Sequence, residues 1–134
     1  MKKRLKKKGI DLMVVDDNDL VIKSVETIVK AVVTSGTINV IKFDNLTDAL
    51  RYLRKNTGNL PRGYLIDLGI PSGQEEDASP EGIYRFLEQH RATENFRFFT
   101  GEVPERYREL GAKIIEKGYC INELEEFLRG LVRK

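Results

Sequence analysis

The 134 residues are 40% hydrophobic and 33% charged, a composition that excludes a disordered or fibrous chain. This length suits one domain with a single core and is too short for a catalytic domain joined to a separate output domain. Cys120 is the only cysteine, which excludes an intrachain disulfide, and no apolar stretch is long enough for a signal peptide or a membrane span, so we expect a cytoplasmic protein without a membrane partner.

In chain order, the apolar patterns predict alternating strands and helices. Short continuous runs are typical of buried strands, and apolar residues at helical spacing indicate helices. The order is strand 12–15, helix 20–32 capped by Asn18 or Asp19, strand 38–43, helix 47–55, strand 64–66, helix 83–90, strand 96–99, a short helix within 103–111, strand 113–116 and helix 123–132. This alternation predicts parallel strands joined by right-handed crossovers, and therefore a doubly wound α/β sheet.

The net charge of +2 is distributed unevenly along the chain. Six of the 23 basic residues lie within residues 2–8, so the other 17 stand against 21 acidic residues and leave the rest of the chain at about −4. We interpret residues 1–9 as a basic N-terminal tail and residues 10–134 as one domain. A short lysine run at a terminus is usually only solvated, so we do not expect a nucleic-acid partner.

Polar side chains follow the predicted strands at the points where the strands end. In an open α/β sheet the ligand site lies at the carboxyl ends of the strands, so these side chains should converge there. They are Asp16, Asp17, Asp67, Thr100 and Lys117. Carboxylates that lie this close repel one another, and a hard, oxygen-binding cation such as Mg²⁺ would remove the repulsion.

Four short segments at these strand ends resemble the response-regulator receiver family, which is also called the CheY-like family. They are VVDD at 14–17, IDLGIP at 66–71, FTG at 99–101 and EK at 116–117, and they occur in the family's order over nearly the whole chain. Each segment alone is a weak signal, but their order and spacing together are specific. The resemblance implies a flavodoxin-like five-stranded parallel sheet with strand order 2-1-3-4-5 and helices on both faces.

The same resemblance assigns a role to each residue at the strand ends. Asp67 would accept a phosphoryl group from phosphohistidine, and Thr100 and Lys117 would bind the phosphoryl oxygens. A Mg²⁺ or Mn²⁺ ion would be held by Asp17 and Asp67 directly, by Asp16 through water, and by the backbone carbonyl of Gly69. A carboxylate nucleophile needs no general base, so such a site needs mainly positioning and charge neutralisation.

The implied function is a phosphoacceptor switch in a two-component phosphorelay. Its partners would be a histidine kinase or histidine phosphotransfer protein and a downstream protein target reached by direct contact. We expect no independent enzymatic turnover, and either a monomer or a weak homodimer.

The sequence departs from the family at four places, one of which is Gly118 in place of the proline that commonly follows the lysine. Residues 72–81 are an acidic insertion after the phosphoacceptor strand, which could recognise a partner, restrict access or be a tolerated surface loop. Only 16 residues separate Thr100 from Lys117, so the fourth helix of the family is shortened here. Ile114 occupies the position at which the family usually has an aromatic switch residue.

Two other functions remain open on the sequence. A degenerate receiver would use the same fold purely as an interaction module without phosphorylation. A haloacid-dehalogenase-type phosphatase is suggested by the segment DNDLV at 17–21, in which Asp17 would be the nucleophile, although the short chain lacks a later acid pair at a strand end.

Overall fold

The computed structural model describes residues 9–32, 38–101, 105, 113–116 and 121–133. In chain order, the elements are β1 (Ile10–Val15), α1 (Asp19–Val32), β2 (Ile38–Phe43), α2 (Leu46–Lys55), β3 (Gly63–Ile66), α3 (Pro80–Gln89), β4 (Phe96–Thr100), β5 (Lys113–Glu116) and α4 (Ile121–Arg133). Residues 1–8 of the basic tail and the short helix expected within 103–111 lie outside this description, apart from Glu105.

The five strands form one parallel sheet in the order β2-β1-β3-β4-β5. This confirms the flavodoxin-like sheet and the strand order that the resemblance implied. β1 and β3 are the central strands, and residues 12–15 and 63–66 are buried throughout. Such unbroken burial is expected where helices cover both faces of a parallel sheet.

Two apolar layers fill the space between the sheet and its helices. One layer joins alternate residues of β1, β3 and β4 to α2 and α3, and includes Met13, Leu50, Ile66 and Leu87. The other joins the opposite faces of the strands to α1 and α4. The prediction of helices on both faces is therefore confirmed. None of the described helices is long and apolar enough to cross a membrane.

Side-chain caps start the helices next to the carboxyl edge of the sheet. Asn45 accepts a hydrogen bond from the backbone N–H of Asp48 at 2.8 Å and caps α2. Asn18, and not Asp19, precedes α1 and accepts from the N–H of Leu20 at 3.0 Å. Each cap satisfies an N–H group that the first helical turn cannot pair, so the polar loops at this edge also fix where the helices begin.

Three predicted boundaries were wrong by two or three residues, and one of them is the start of α4, at Ile121 instead of residue 123. β1 begins at Ile10, because its pairing with β2 continues to Ile10 and Ile38. α3 begins at Pro80 instead of residue 83, with Ser79 as its cap. The part of the insertion that precedes α3 is therefore residues 72–79, because Pro80 and Glu81 belong to the first turn of the helix.

Candidate functional site

Backbone pairing brings the two aspartates of the central strands to the same level. Val15 of β1 pairs with Ile66 of β3, and the hydrogen-bond ladder continues one residue further. The N–H of Asp67 donates to the carbonyl of Val15 at 3.0 Å, and the N–H of Asp16 donates to the carbonyl of Phe43 at 3.1 Å. Asp16 and Asp67 are therefore held by the sheet itself and not by a free loop.

Three carboxylates meet at this edge of the sheet. One carboxylate oxygen from each of Asp16, Asp17 and Asp67 lies within 4.8 Å of the other two. Asp16 is 2% exposed and Asp67 is 7% exposed, whereas Asp17 faces the solvent. Two of the three negative charges thus lie where water screens them poorly, and their mutual repulsion favours the binding of a cation.

The donor atoms of this cluster suit a hard divalent cation. All three side chains offer carboxylate oxygens, which Mg²⁺ and Mn²⁺ prefer to nitrogen or sulfur. Asp16 is further oriented by the backbone N–H of Asn18, which donates to its Oδ1 at 2.9 Å. Sequence reasoning had treated Asn18 only as a possible helix cap, and the two-residue spacing from Asp16 was the available signal for this second role.

Gly69 lies directly beside the carboxylate of Asp67. A β-carbon built on Gly69 would be 3.5 Å from Asp67 Oδ2, which is ordinary contact distance. The backbone at residue 69 is thus near enough to the cluster for its carbonyl group to belong to the same site. For Gly101, after β4, no atom of the described residues lies within 4 Å of such a β-carbon.

Thr100 ends β4 next to the central pair of strands. Because Ile66 pairs with Phe98, Thr100 lies one residue beyond the level of Asp67. Its side chain is 3% exposed and lies on the same side of the strand as Phe96 and Phe98. A buried hydroxyl at the strand end is suited to hydrogen-bond an anion bound at this edge.

Lys117, the remaining predicted site residue, lies outside the described residues. The preceding residue, Glu116, ends β5 and pairs with Thr100 across the last two strands. The chain therefore reaches the carboxyl edge of the sheet one residue before position 117.

The fold of the chain is shared with solved receiver domains. No protein-family model matches the sequence, and none of the curated proteins matches it either. The structure does match a response regulator from Cytophaga hutchinsonii, with a TM-score of 0.70 at 14% identity over 96% of this chain and 100% of that one. It also matches a response regulator receiver domain protein from Clostridium thermocellum, with a TM-score of 0.70 at 16% identity over 92% and 94% of the two chains.

A third match is the isolated receiver domain of RcsB from Salmonella enterica serovar Typhimurium, solved in the presence of the phosphomimetic BeF3-. Its TM-score is 0.72 at 16% identity, and the alignment covers 94% of this chain and 90% of that chain. At these identities the likeness establishes the fold. The chain has the CheY-like receiver fold, and its acidic cluster lies at the carboxyl edge of the central strands.

Proposed function

We propose that this chain, which has the receiver-domain fold, is a phosphoacceptor switch of a two-component phosphorelay. One observation carries the proposal: the carboxylates of Asp16, Asp17 and Asp67 lie within 4.8 Å of one another at the carboxyl edge of the sheet. Three carboxylate oxygens this close together form a set of ligands that suits a hard divalent cation, the ion that phosphoryl transfer to a carboxylate requires.

The cluster fits a divalent metal ion by its chemistry. Asp17 and Asp67 would hold Mg²⁺ or Mn²⁺ directly, and Asp16 would act through water. The backbone carbonyl of Gly69 would complete the set of metal ligands that the protein supplies. The bound ion would neutralise charge on the carboxylates and on the incoming phosphoryl group. Without that neutralisation, a phosphate dianion would be repelled by three acids.

Asp67 is the proposed nucleophile. Its carboxylate oxygen attacks the phosphorus of a phosphohistidine, the P–N bond breaks, and the electron pair of that bond returns to the imidazole of the donor. The buried Thr100 hydroxyl donates a hydrogen bond to a phosphoryl oxygen, and the ammonium group of Lys117 is assigned to a second one. The product is an acyl phosphate on Asp67, formed without a general base.

The proposed partners follow from this reaction. A histidine kinase or a histidine phosphotransfer protein supplies the phosphoryl group, and output occurs through contact with a downstream protein. The chain takes part in its own phosphorylation but has no independent turnover of a substrate.

Mass spectrometry of the intact protein tests the proposal. With a small acyl-phosphate donor and Mg²⁺, the wild-type chain should gain one phosphoryl group, and Asp67→Asn should gain none. Asp77→Asn is a matched control, because Asp77 is exposed and its φ of 70° is one that asparagine tolerates well. It should be phosphorylated like the wild type. An Asp67→Asn variant that still gains the group would overturn the assignment of the acceptor.

The same proteins, together with an Asp17→Asn variant and an assay of phosphate-ester hydrolysis, separate the two alternatives. A degenerate receiver would gain no phosphoryl group under any of these conditions. A haloacid-dehalogenase-type phosphatase would turn over a generic phosphate ester, and it would lose that activity in Asp17→Asn but keep it in Asp67→Asn. Either pattern would replace the phosphoacceptor assignment.

A further inference from the structure

The insertion after β3 is a folded loop that packs against α2. Within this insertion loop, residues 72–79, the N–H of Gly73 donates to the carbonyl of Ala78 at 2.7 Å, and the N–H of Ala78 donates to the carbonyl of Glu75 at 3.1 Å. Ala78 is buried in the same apolar layer as α2 and α3. These contacts close the loop on itself and attach its end to the core.

Glu75 forms an ion-pair clasp with two arginines of α2. Glu75 Oε2 accepts from Arg51 Nε at 2.8 Å and lies 2.6 Å from Arg51 Nη2, and Glu75 Oε1 lies 3.6 Å from Arg54 Nη1. The hydrogen bond that Arg51 donates to Glu75 raises the pKa of the Arg51 guanidinium, in keeping with a close contact. One hydrogen bond and two ion-pair contacts thus hold both oxygens of the Glu75 carboxylate against α2.

A second contact attaches the loop near the start of α2. The backbone of Gly73 lies so close to Thr47 that a β-carbon on Gly73 would overlap the Thr47 hydroxyl. The loop thus follows α2 from Thr47 to Arg54, with Gly73 at one end and Glu75 at the other. Between these contacts its side chains are exposed or half-buried, so few apolar contacts hold it there.

This loop is joined to the acidic cluster by only a few residues. Gly69, where a β-carbon would lie 3.5 Å from Asp67 Oδ2, is four residues before Gly73. Ile70, between them, is buried and anchors the near side of the segment. The segment 69–73 is therefore held at the core by Ile70 and at α2 by the loop, and its freedom depends on both anchors.

We propose that Glu75 is a positioning residue for the metal site, acting through the clasp with Arg51 and Arg54. The clasp holds the segment 69–73 in place, so the Gly69 carbonyl does not have to be ordered when the ion binds. Ordering a free segment costs binding free energy, and a segment ordered beforehand binds more tightly. This inference rests on the proposed function, because it assumes that the cluster binds Mg²⁺.

A matched pair of charge reversals tests the clasp. Glu75→Lys would repel Arg51, whereas Glu76→Lys changes the charge of the same loop by the same amount at an exposed neighbour. Mg²⁺ affinity, measured by calorimetric titration well below the unfolding temperature, should fall about three-fold more in Glu75→Lys than in Glu76→Lys, which corresponds to the free energy of a partly exposed ion pair. Adding Arg51→Glu to Glu75→Lys should restore the affinity.

Amide hydrogen exchange gives a second readout that does not depend on the ion. The N–H of Gly73 should exchange faster in Glu75→Lys and at the wild-type rate in Glu76→Lys. If Glu75→Lys does not fold, Arg51→Gln replaces it, with Arg62→Gln as its control at the opposite end of the sheet.

The outcomes separate the two proposals. A wild-type chain that binds no Mg²⁺ overturns the metal site of the proposed function, and the positioning role with it. Normal wild-type binding, with equal affinities and equal Gly73 exchange in the two lysine variants, overturns the positioning role alone.

Discussion

Removing one charge from the acidic cluster should stabilise the protein when no metal ion is present. At a separation of 4.8 Å, two unit charges interact by about 0.9 kcal/mol in water and by about 3.5 kcal/mol at an effective dielectric constant of about 20. Asp17 has two such neighbours and is exposed, so the value in water applies to it better. Asp17→Asn keeps the shape of the side chain and should raise the free energy of unfolding by about 2 kcal/mol.

Thermal unfolding with and without Mg²⁺ measures this effect. For a chain of this size, about 2 kcal/mol corresponds to a rise of about 6 °C in the melting temperature without metal. Mg²⁺ at ten times its Kd should stabilise the wild type by about 1.4 kcal/mol and stabilise Asp17→Asn much less. Two results together would refute the reasoning. Without Mg²⁺, Asp17→Asn would have the same melting temperature as the wild type, and on addition of Mg²⁺ the two melting temperatures would rise by the same amount.

Three other substitutions test the packing around the site. The buried Tyr64 hydroxyl has no hydrogen-bond partner among the described residues. Tyr64→Phe should therefore raise the free energy of unfolding, measured by urea denaturation, by about 1 kcal/mol. Burial raises the folded-state pKa of Tyr64, so wild-type stability should fall as pH rises above about 10, and less so in this variant. Ser79→Ala removes the cap of α3 and should cost about 1 kcal/mol in thermal unfolding. Gly82→Ala would overlap the Asp77 carbonyl, and should lower the free energy of unfolding, measured by urea denaturation, by roughly 1–3 kcal/mol.

The sheet was predictable because its strands are buried on both faces. Continuous apolar runs such as residues 12–15 and 64–66 have few other uses in a chain of this composition, and each is followed by a polar residue. The parallel connections then bring those polar residues to one edge, which is why Asp16 and Asp67 could be placed together from sequence. The start of α3 was missed because the predicted helix began at its first apolar residue, Ile83. Ser79 and Pro80 are typical of a helix start and were the available signal.

The arrangement of the insertion could not be predicted in the same way. Glu75 and Arg51 are 24 residues apart and both lie at the surface, where no apolar periodicity constrains the pairing. The sequence indicated an acidic loop and allowed several roles for it. In the folded protein its carboxylate lies on α2 and its backbone lies against Thr47.

Location of the phosphoryl group on the chain tests the central claim most directly. Trypsin should release residues 63–85 as one peptide, because Arg62 and Arg85 flank a stretch without lysine or arginine. After reaction with an acyl-phosphate donor, fragmentation of this peptide should place the group on Asp67, in a yield that requires Mg²⁺ and disappears with a chelator. A phosphoryl group on another residue, or an equal yield without the metal ion, would contradict the account.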